Sequence, residues 1–206
     1  MDFSIVLNKH LLEYFEEDHQ YVCDGVMIPS ITQIMHPKFG NKYDGVAAGT
    51  LIKAAAKGTQ MHNEIEAYCQ AGIDSGSPEL HNFKFLLKQY GMAVKNNEVP
   101  VILSVDGEPF AAGRIDLVLE KDGLTGLGDL KRTAVLDREY LAYQLNLYRI
   151  AFQQSYDTEV HFLAGFHLRE DKRKLAAIAI DENKAYEIVN EWRNFNEHLD
   201  CIRQAD

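Results

Sequence analysis

The strongest constraint on this chain is the run GRIDLVLEKDGLTGLGDLK, residues 113 to 131. Asp122-Gly123 favours a two-residue hairpin turn, because both central positions need φ > 0 and this dipeptide tolerates it. The flanks GRIDLVLE and LTGLGDLK are rich in Ile, Leu and Val, as strands require. With the turn there, Lys121 pairs with Leu124 and Asp116 lies opposite Asp129. That rung is a non-hydrogen-bonded pair, with Cα atoms about 4.5 Å apart and both side chains on one face. Lys131, two residues on, points the same way. Apolar residues sit on both faces: Ile115, Leu117, Leu119 and Leu130 on one, Val118 and Leu127 on the other. Opposed like charges destabilise a sheet. A divalent cation relieves the conflict, because hard cations are held by a few carboxylates plus water and phosphate oxygens. The expectation is a metal site on a buried hairpin, rather than two aspartates on a solvated face.

With 206 residues the chain is long enough to bury a full core, and it is read as one α/β domain over 1–206, with 1–45 as a lead-in and 46–206 as the core. No run of 18 or more apolar residues occurs, so no membrane span is expected. The N-terminal stretch lacks the basic-then-apolar pattern of a signal peptide. Cys23, Cys69 and Cys201 are widely spaced and form no CxxC pair, which fits free thiols in the cytoplasm and argues against a structural zinc site. The net charge of −10 counts against non-specific coating of nucleic acid, whose affinity comes from Lys and Arg displacing counterions. It leaves room for an enzyme with a local basic strip, for which Lys53, Lys57, Lys131, Arg132 and Arg138 are candidates; ordinary surface charge is the competing reading.

Along the chain, residues 4–17 alternate weakly and are read as a short helix, and 21–28 as a strand or small hairpin around Asp24-Gly25. Ser30 is placed as a helix N-cap, and 36–45 as a loop. A helix over 46–70, broken at Gly58-Thr59, carries Leu51, Ala55, Gly58, His62, Ile65 and Cys69 on one stripe. A second helix covers 79–90, with Phe83, Leu86, Leu87 and Tyr90 inward. Strands at 94–104, 110–120 and 124–132, a helix at 139–155, strands at 158–168 and 174–180, and a helix at 182–203 follow. The last helix turns Ala185, Ile188, Val189, Trp192, Phe195 and Leu199 inward. Helices packed on one mixed sheet is the architecture this order implies.

Carboxylates on adjacent strands can bridge one or two metal ions that bind a scissile phosphate and acidify a water. Lys131 could orient that water or offset transition-state charge; its alternative role is a salt bridge to Asp129. His62 and Glu66 share a helix face, so Glu66 could orient the imidazole, or His62 could ligate the metal, shifting preference from Mg²⁺ towards Mn²⁺. A satisfied core histidine is the competing reading. Gln144 and Tyr148, also one turn apart, can donate to a phosphate or base, or simply bond their neighbours. With Asp106-Gly107 as a simple turn, Glu98 pairs with Ile115 and points away from Asp116; a bulge within AAG (111–113) would change that.

Four pieces, GTQMHNEIE (58–66), GRIDLVLE (113–120), GDLK (128–131) and QLNLY (144–148), resemble in order the motifs of the PD-(D/E)XK nuclease superfamily, in its RecB-like and phage-type exonuclease branch. DGVMIPSITQIM (24–35) also looks like the lead-in of prophage members. The resemblance implies a restriction-endonuclease-like core in which a mixed central sheet, its antiparallel hairpin bearing the site, is flanked by helices. It implies that Asp116 and Asp129 bind catalytic Mg²⁺ or Mn²⁺, helped by the carbonyl of Leu130, and that Lys131 is the catalytic lysine. His62 would be the additional metal ligand of this branch, and Gln144 and Tyr148 the helix motif near DNA. The implied activity is hydrolysis of DNA phosphodiester bonds, by an exonuclease of recombination or repair and of phage origin. The central acidic position is Asp129 rather than Glu, and the family accepts both. Some relatives hold an iron–sulfur cluster with four cysteines; three scattered cysteines do not supply that set, so no cluster is expected. A non-catalytic or partner-dependent DNA-binding member of the same fold is the main alternative, as a homo-oligomer or with a recombination partner protein. A phosphoesterase acting on RNA or small nucleotides is a third.

Overall fold

The computed structural model describes residues 2–40 and 45–203. Its N-terminal part is an antiparallel meander of β1 (Phe3–Leu7), β2 (His10–Phe15), β3 (Gln20–Cys23) and β4 (Val26–Ile28). The helix expected over 4–17 is therefore a hairpin. Asn8 and Lys9 both take positive φ (43° and 77°) and turn the chain, with Leu7 opposite His10. The weak alternation has period two: Leu7, Leu12 and Tyr14 are buried against Ile102 and Ala112 of a second sheet. That support comes from residues far along the chain. The hairpin around Asp24-Gly25 is as expected.

Two short helices follow, α1 (Ile31–Ile34) and α2 (His36–Phe39). Ser30 caps α1: Gln33 N donates to its Oγ at 3.0 Å, and its own N donates to Gln33 Oε1 at 2.7 Å, a reciprocal capping box. The stretch expected as a loop over 36–45 thus begins helically, and 41–44 lie outside the described residues. α3 (Ala48–Ala71) runs unbroken through Gly58-Thr59. Its expected stripe is buried only in its second half, at Ile65 with Met61, while Ala55 and its neighbours from Ile52 to Lys57 are exposed. Alanine has the highest intrinsic helix propensity, so this Ala-rich half is helical without packing.

α4 (Pro78–Tyr90) buries Phe83 and Leu86 but leaves Tyr90 exposed. β5 (Ala93–Val105), β6 (Glu108–Lys121), β7 (Leu124–Lys131), β8 (Phe162–Arg169) and β9 (Lys172–Ile178) form the second sheet, in that spatial order. All pairs are antiparallel except β7 with β8, which is parallel because α5 (Arg138–Tyr156) crosses between them. α6 (Glu182–Arg203) closes the described chain; it buries Ala185, Ile188 and Val189 and leaves Phe195 exposed. The side chains of Leu199 and Cys201, one expected inward and one a free thiol, lie outside the described residues.

The molecule is mixed α/β with two sheets, not one. Leu117, Leu119, Leu130 and Phe166 pack with α3 and α4 on one side of the five-stranded sheet. Val118 and Leu127 pack with α1, α5 and α6 on the other. Ile115 joins this second cluster, contrary to the face assigned from strand alternation. Gly126 leaves room for its β8 partner: a Cβ there would lie 2.2 Å from the Phe162 ring. Asn146 pins α5 to the start of α6, donating to Ala142 O and Ala179 O and accepting from Asp181 N. No helix among the described residues is long and apolar enough to cross a membrane.

Candidate metal centre

The β6–β7 hairpin turns at Asp122-Gly123 (φ 53° and 78°), and its rungs run from Lys121–Leu124 to Leu117–Gly128, the expected register. The ladder then stops. Asp116 and Asp129 do not form the next rung. Instead Leu130 N donates to Asp116 Oδ2 at 2.7 Å, while Asp129 pairs with Gly165 in the parallel ladder to β8. β7 is already paired with β8 along its other edge from Gly126 onward, so only its ladder to β6 ends here, and the Asp116 side chain takes the place of the backbone as acceptor for Leu130 N. The face-to-face carboxylate pair is therefore corrected to two carboxylates at the mouth of a fork.

Glu98 is the residue that sequence reasoning placed wrongly. Val105 pairs with Glu108 across the simple turn, but the register shifts between Leu103 and Ser104, which pair with Ala111 and Pro109. Phe110 is the extra residue, immediately before the AAG stretch where a bulge had been considered. One inserted residue moves the side chains that follow it to the other face. With Asn97 opposite Leu117 and Val99 opposite Ile115, Glu98 falls opposite Asp116. Its own φ of 51° is left-handed, a conformation costly outside glycine that marks a constrained position.

His62 reaches this point from α3. Its Nδ1 lies 3.8 Å from Asp116 and 3.9 Å from Glu98, and donor atoms of the three residues all fall within 4.8 Å of one another. Its Nε2 lies 3.1 Å from Leu130 O. A carbonyl only accepts, so Nε2 carries the proton of the neutral ring and Nδ1 keeps a free lone pair. Metal-ligating histidines are commonly oriented through their other nitrogen in this way. Leu130 O thus accepts from His62 at the edge of the cluster, with a second lone pair remaining. Glu66 does not orient the imidazole: it accepts from Gln70 Nε2 at 2.9 Å.

Asp129 forms a separate pair with Lys131. The ammonium straddles the carboxylate, 2.8 Å from Oδ1 and 2.7 Å from Oδ2, with hydrogen-bond geometry only to Oδ1. Gln144 Oε1 accepts a further bond from Lys131 Nζ at 3.1 Å. The amide, itself buried, positions the lysine from α5 and is not displayed to a substrate. Tyr148 is also buried and lies over Gly113, where a Cβ would meet its Cε1 at 2.8 Å. Both residues are buried in the free protein, Gln144 against Lys131 and Tyr148 against Gly113.

The electrostatics follow from this packing. Asp129 is 3% exposed, and burial pushes its carboxyl up to about 6; Lys131 pulls it down and Asp116 pushes it further up. Burial disfavours the His62 imidazolium, yet Asp116 and Glu98 together outweigh it and raise the ring to about 9. Burial likewise opposes the Lys131 ammonium, and the Asp129 and Asp116 charges more than compensate. An imidazole and two carboxylates, with a third carboxylate buried beside them, form a donor set suited to a divalent ion with mixed nitrogen and oxygen ligation. Binding such an ion displaces the His62 proton.

The basic strip is not available as drawn. Arg132 pairs with Glu79 at 2.7 Å and with Glu170 at 2.9 Å, Lys57 lies 3.8 Å from Glu170, and Arg138 donates to Ala177 O. In a chain with acids in excess, most of these cations are already partnered. A second donor group, His10, Cys23 and Asp24, sits at the β3–β4 turn, where both Asp24 oxygens already accept from His10 Nδ1 and Leu11 N. Cys23 and Cys69 are free thiols, and burial raises each to about 11.

No family model matches the chain, and no curated protein matches it. Among solved structures, one described as "Crystal structure of SSO0001" is similar with a TM-score of 0.47 and 14% identity, covering 81% of this chain and 75% of that one.

Proposed function

We propose that the protein is a metal-dependent deoxyribonuclease of the PD-(D/E)XK type, with a restriction-endonuclease-like core in the five-stranded sheet. One observation carries this reading. His62, Glu98 and Asp116 converge within 4.8 Å at the fork between β6 and β7, and the Asp129–Lys131 pair sits on the adjoining strand. His62 Nδ1, Glu98 and Asp116 would hold Mg²⁺ or Mn²⁺. When bound, such an ion polarises a phosphoryl oxygen and lowers the pKa of a water towards neutrality. Asp129 and Gln144 hold the Lys131 ammonium at the edge of a cleft of about 320 Å³, bordered also by Thr133 and Tyr140. From there it can donate to a phosphate oxygen as negative charge grows. An exonuclease acting in recombination or repair is the specific form favoured by the motif order.

The test is degradation of linear and closed circular DNA with Mg²⁺, Mn²⁺ or EDTA, comparing wild type with Asp116→Ala and Lys131→Ala. Loss of linear DNA alone, abolished by EDTA and by both substitutions, supports the exonuclease. Cutting of circles keeps the site and makes the enzyme an endonuclease. No cleavage by folded protein in either metal removes the autonomous nuclease. A second reading, a partner-dependent DNA-binding member of the fold, is favoured by the ion pairing of Lys57, Arg132 and Lys131, which leaves little free positive charge to attract a phosphate backbone.

A further inference from the structure

The cleft beside Lys131 does not end at the site. Its wall includes Thr32 and His36, from the α1–α2 segment, and the same two residues line a larger cleft of about 1020 Å³ on the other side. The far wall of that second cleft carries Trp192 and Phe195 of α6, stacked with centroids 6.1 Å apart and 29° between planes. Phe195 is 39% exposed, so one edge of the pair faces open space. Lys38 joins α2 to α6 through Glu187 and Glu191, at 2.5 and 3.1 Å, beside the groove, and Asp18 is the one carboxylate among the groove's described lining residues.

We propose that this groove is a binding path for unpaired DNA, in which a base stacks on the Trp192–Phe195 pair while the strand runs past Thr32 and His36 to Lys131. The idea builds on the nuclease reading for the identity of the strand and is tested independently of cleavage. Three observations select a single strand over a duplex. Aromatic platforms stack on the exposed faces of unpaired bases, which a duplex hides. The cleft at Lys131, at 320 Å³, is at the lower end of the range for a drug-sized ligand and admits a nucleotide rather than a double helix. The chain's net charge of −10 and its internally paired cations leave stacking as the dominant source of affinity.

Trp192 is the single tryptophan of the chain, so its fluorescence reports on the platform alone. The experiment titrates full-length protein in EDTA, which prevents hydrolysis, with a short oligothymidylate and with a blunt duplex of equal length. The expected result is saturable quenching by the single strand and none by the duplex. Affinity should fall less than about tenfold between about 50 and 200 mM salt, because few phosphates are neutralised. By anisotropy of a labelled oligonucleotide, Trp192→Leu weakens binding by about 5- to 150-fold, as expected for one lost stacking partner. Trp192→Phe, which keeps a ring, stays within about threefold, and Phe195→Ala gives a second loss at an exposed position. Equal quenching by duplex, or Trp192→Leu binding like wild type, overturns the proposal. Cleavage without quenching overturns the platform and leaves the nuclease reading intact. Quenching that depends on Trp192 without cleavage supports the platform and counts against the nuclease.

Discussion

Replacing Lys131 with Met isolates what the lysine does for the buried Asp129. In the folded protein the carboxyl titrates near 6, with Lys131 opposing the effect of burial. Without the ammonium that value rises further. Below about pH 5 the carboxyl is neutral in both proteins, so Lys131→Met removes packing, the attraction of Asp116 and the bond to Gln144, the last about 1 kcal/mol, but no ion pair with Asp129. At pH 8 the wild type has ionised Asp129 beside the ammonium, whereas the variant, with its carboxyl raised further, loses that ion pair. The added loss is that of a broken buried pair, about 3–5 kcal/mol. The sign is consistent with a raised carboxyl: its favourable contribution is complete below its unfolded value and is lost as pH rises through about 6. Urea unfolding of both proteins in EDTA at pH 5 and pH 8 reads this out. Equal destabilisation at the two pH values would refute the assignment of Asp129 as the group held ionised by Lys131.

Two further perturbations probe the neighbouring geometry. Glu98→Gln removes one of the charges that raise His62, so the ring's titration midpoint, followed by NMR, should move down from about 9. The stability His62 contributes, complete below its unfolded value near 6.5 and lost through about 9, should then disappear at lower pH. An unchanged midpoint would place Glu98 away from the imidazole. Gly113→Ala brings a Cβ within 2.8 Å of Tyr148 Cε1, and overpacking of this kind costs about 1–3 kcal/mol. Thermal unfolding of this variant at wild-type temperature would show that Tyr148 can move aside freely.

The resemblance to a nuclease family singled out Asp116, Asp129, Lys131 and His62, and the structure gathers these four around one fork. It also gives hydrogen-bond partners to three others. Gln144 holds Lys131, Leu130 O holds His62, and Glu66 bonds Gln70 at a distance from the ring. Residue type and spacing select side chains able to act, but orientation depends on partners contributed by other elements.

What the sequence alone determines here is local. Asp122-Gly123 demands a turn with two positive φ values, and the hairpin register follows from it over the next rungs. Ser30 with Gln33 encodes a capping box within four residues. The helices and strands of residues 78–198 follow from their periodicities with small changes of boundary. Tertiary structure alone decided what depends on distant partners. The N-terminal hairpin needs Ile102 and Ala112 beneath it, and its short alternation could not reveal them. The Asp116–Asp129 rung is replaced by a bond from Leu130 N to the Asp116 side chain, which strand alternation does not encode, and β8, more than thirty residues on, fixes the other edge of β7. Glu98 joins the centre only because Phe110 is squeezed out of the ladder. A single extra residue shifts the register until the second irregularity between Val94 and Asn96 restores it, so an error too small to disturb the strand assignment is large enough to misplace a ligand.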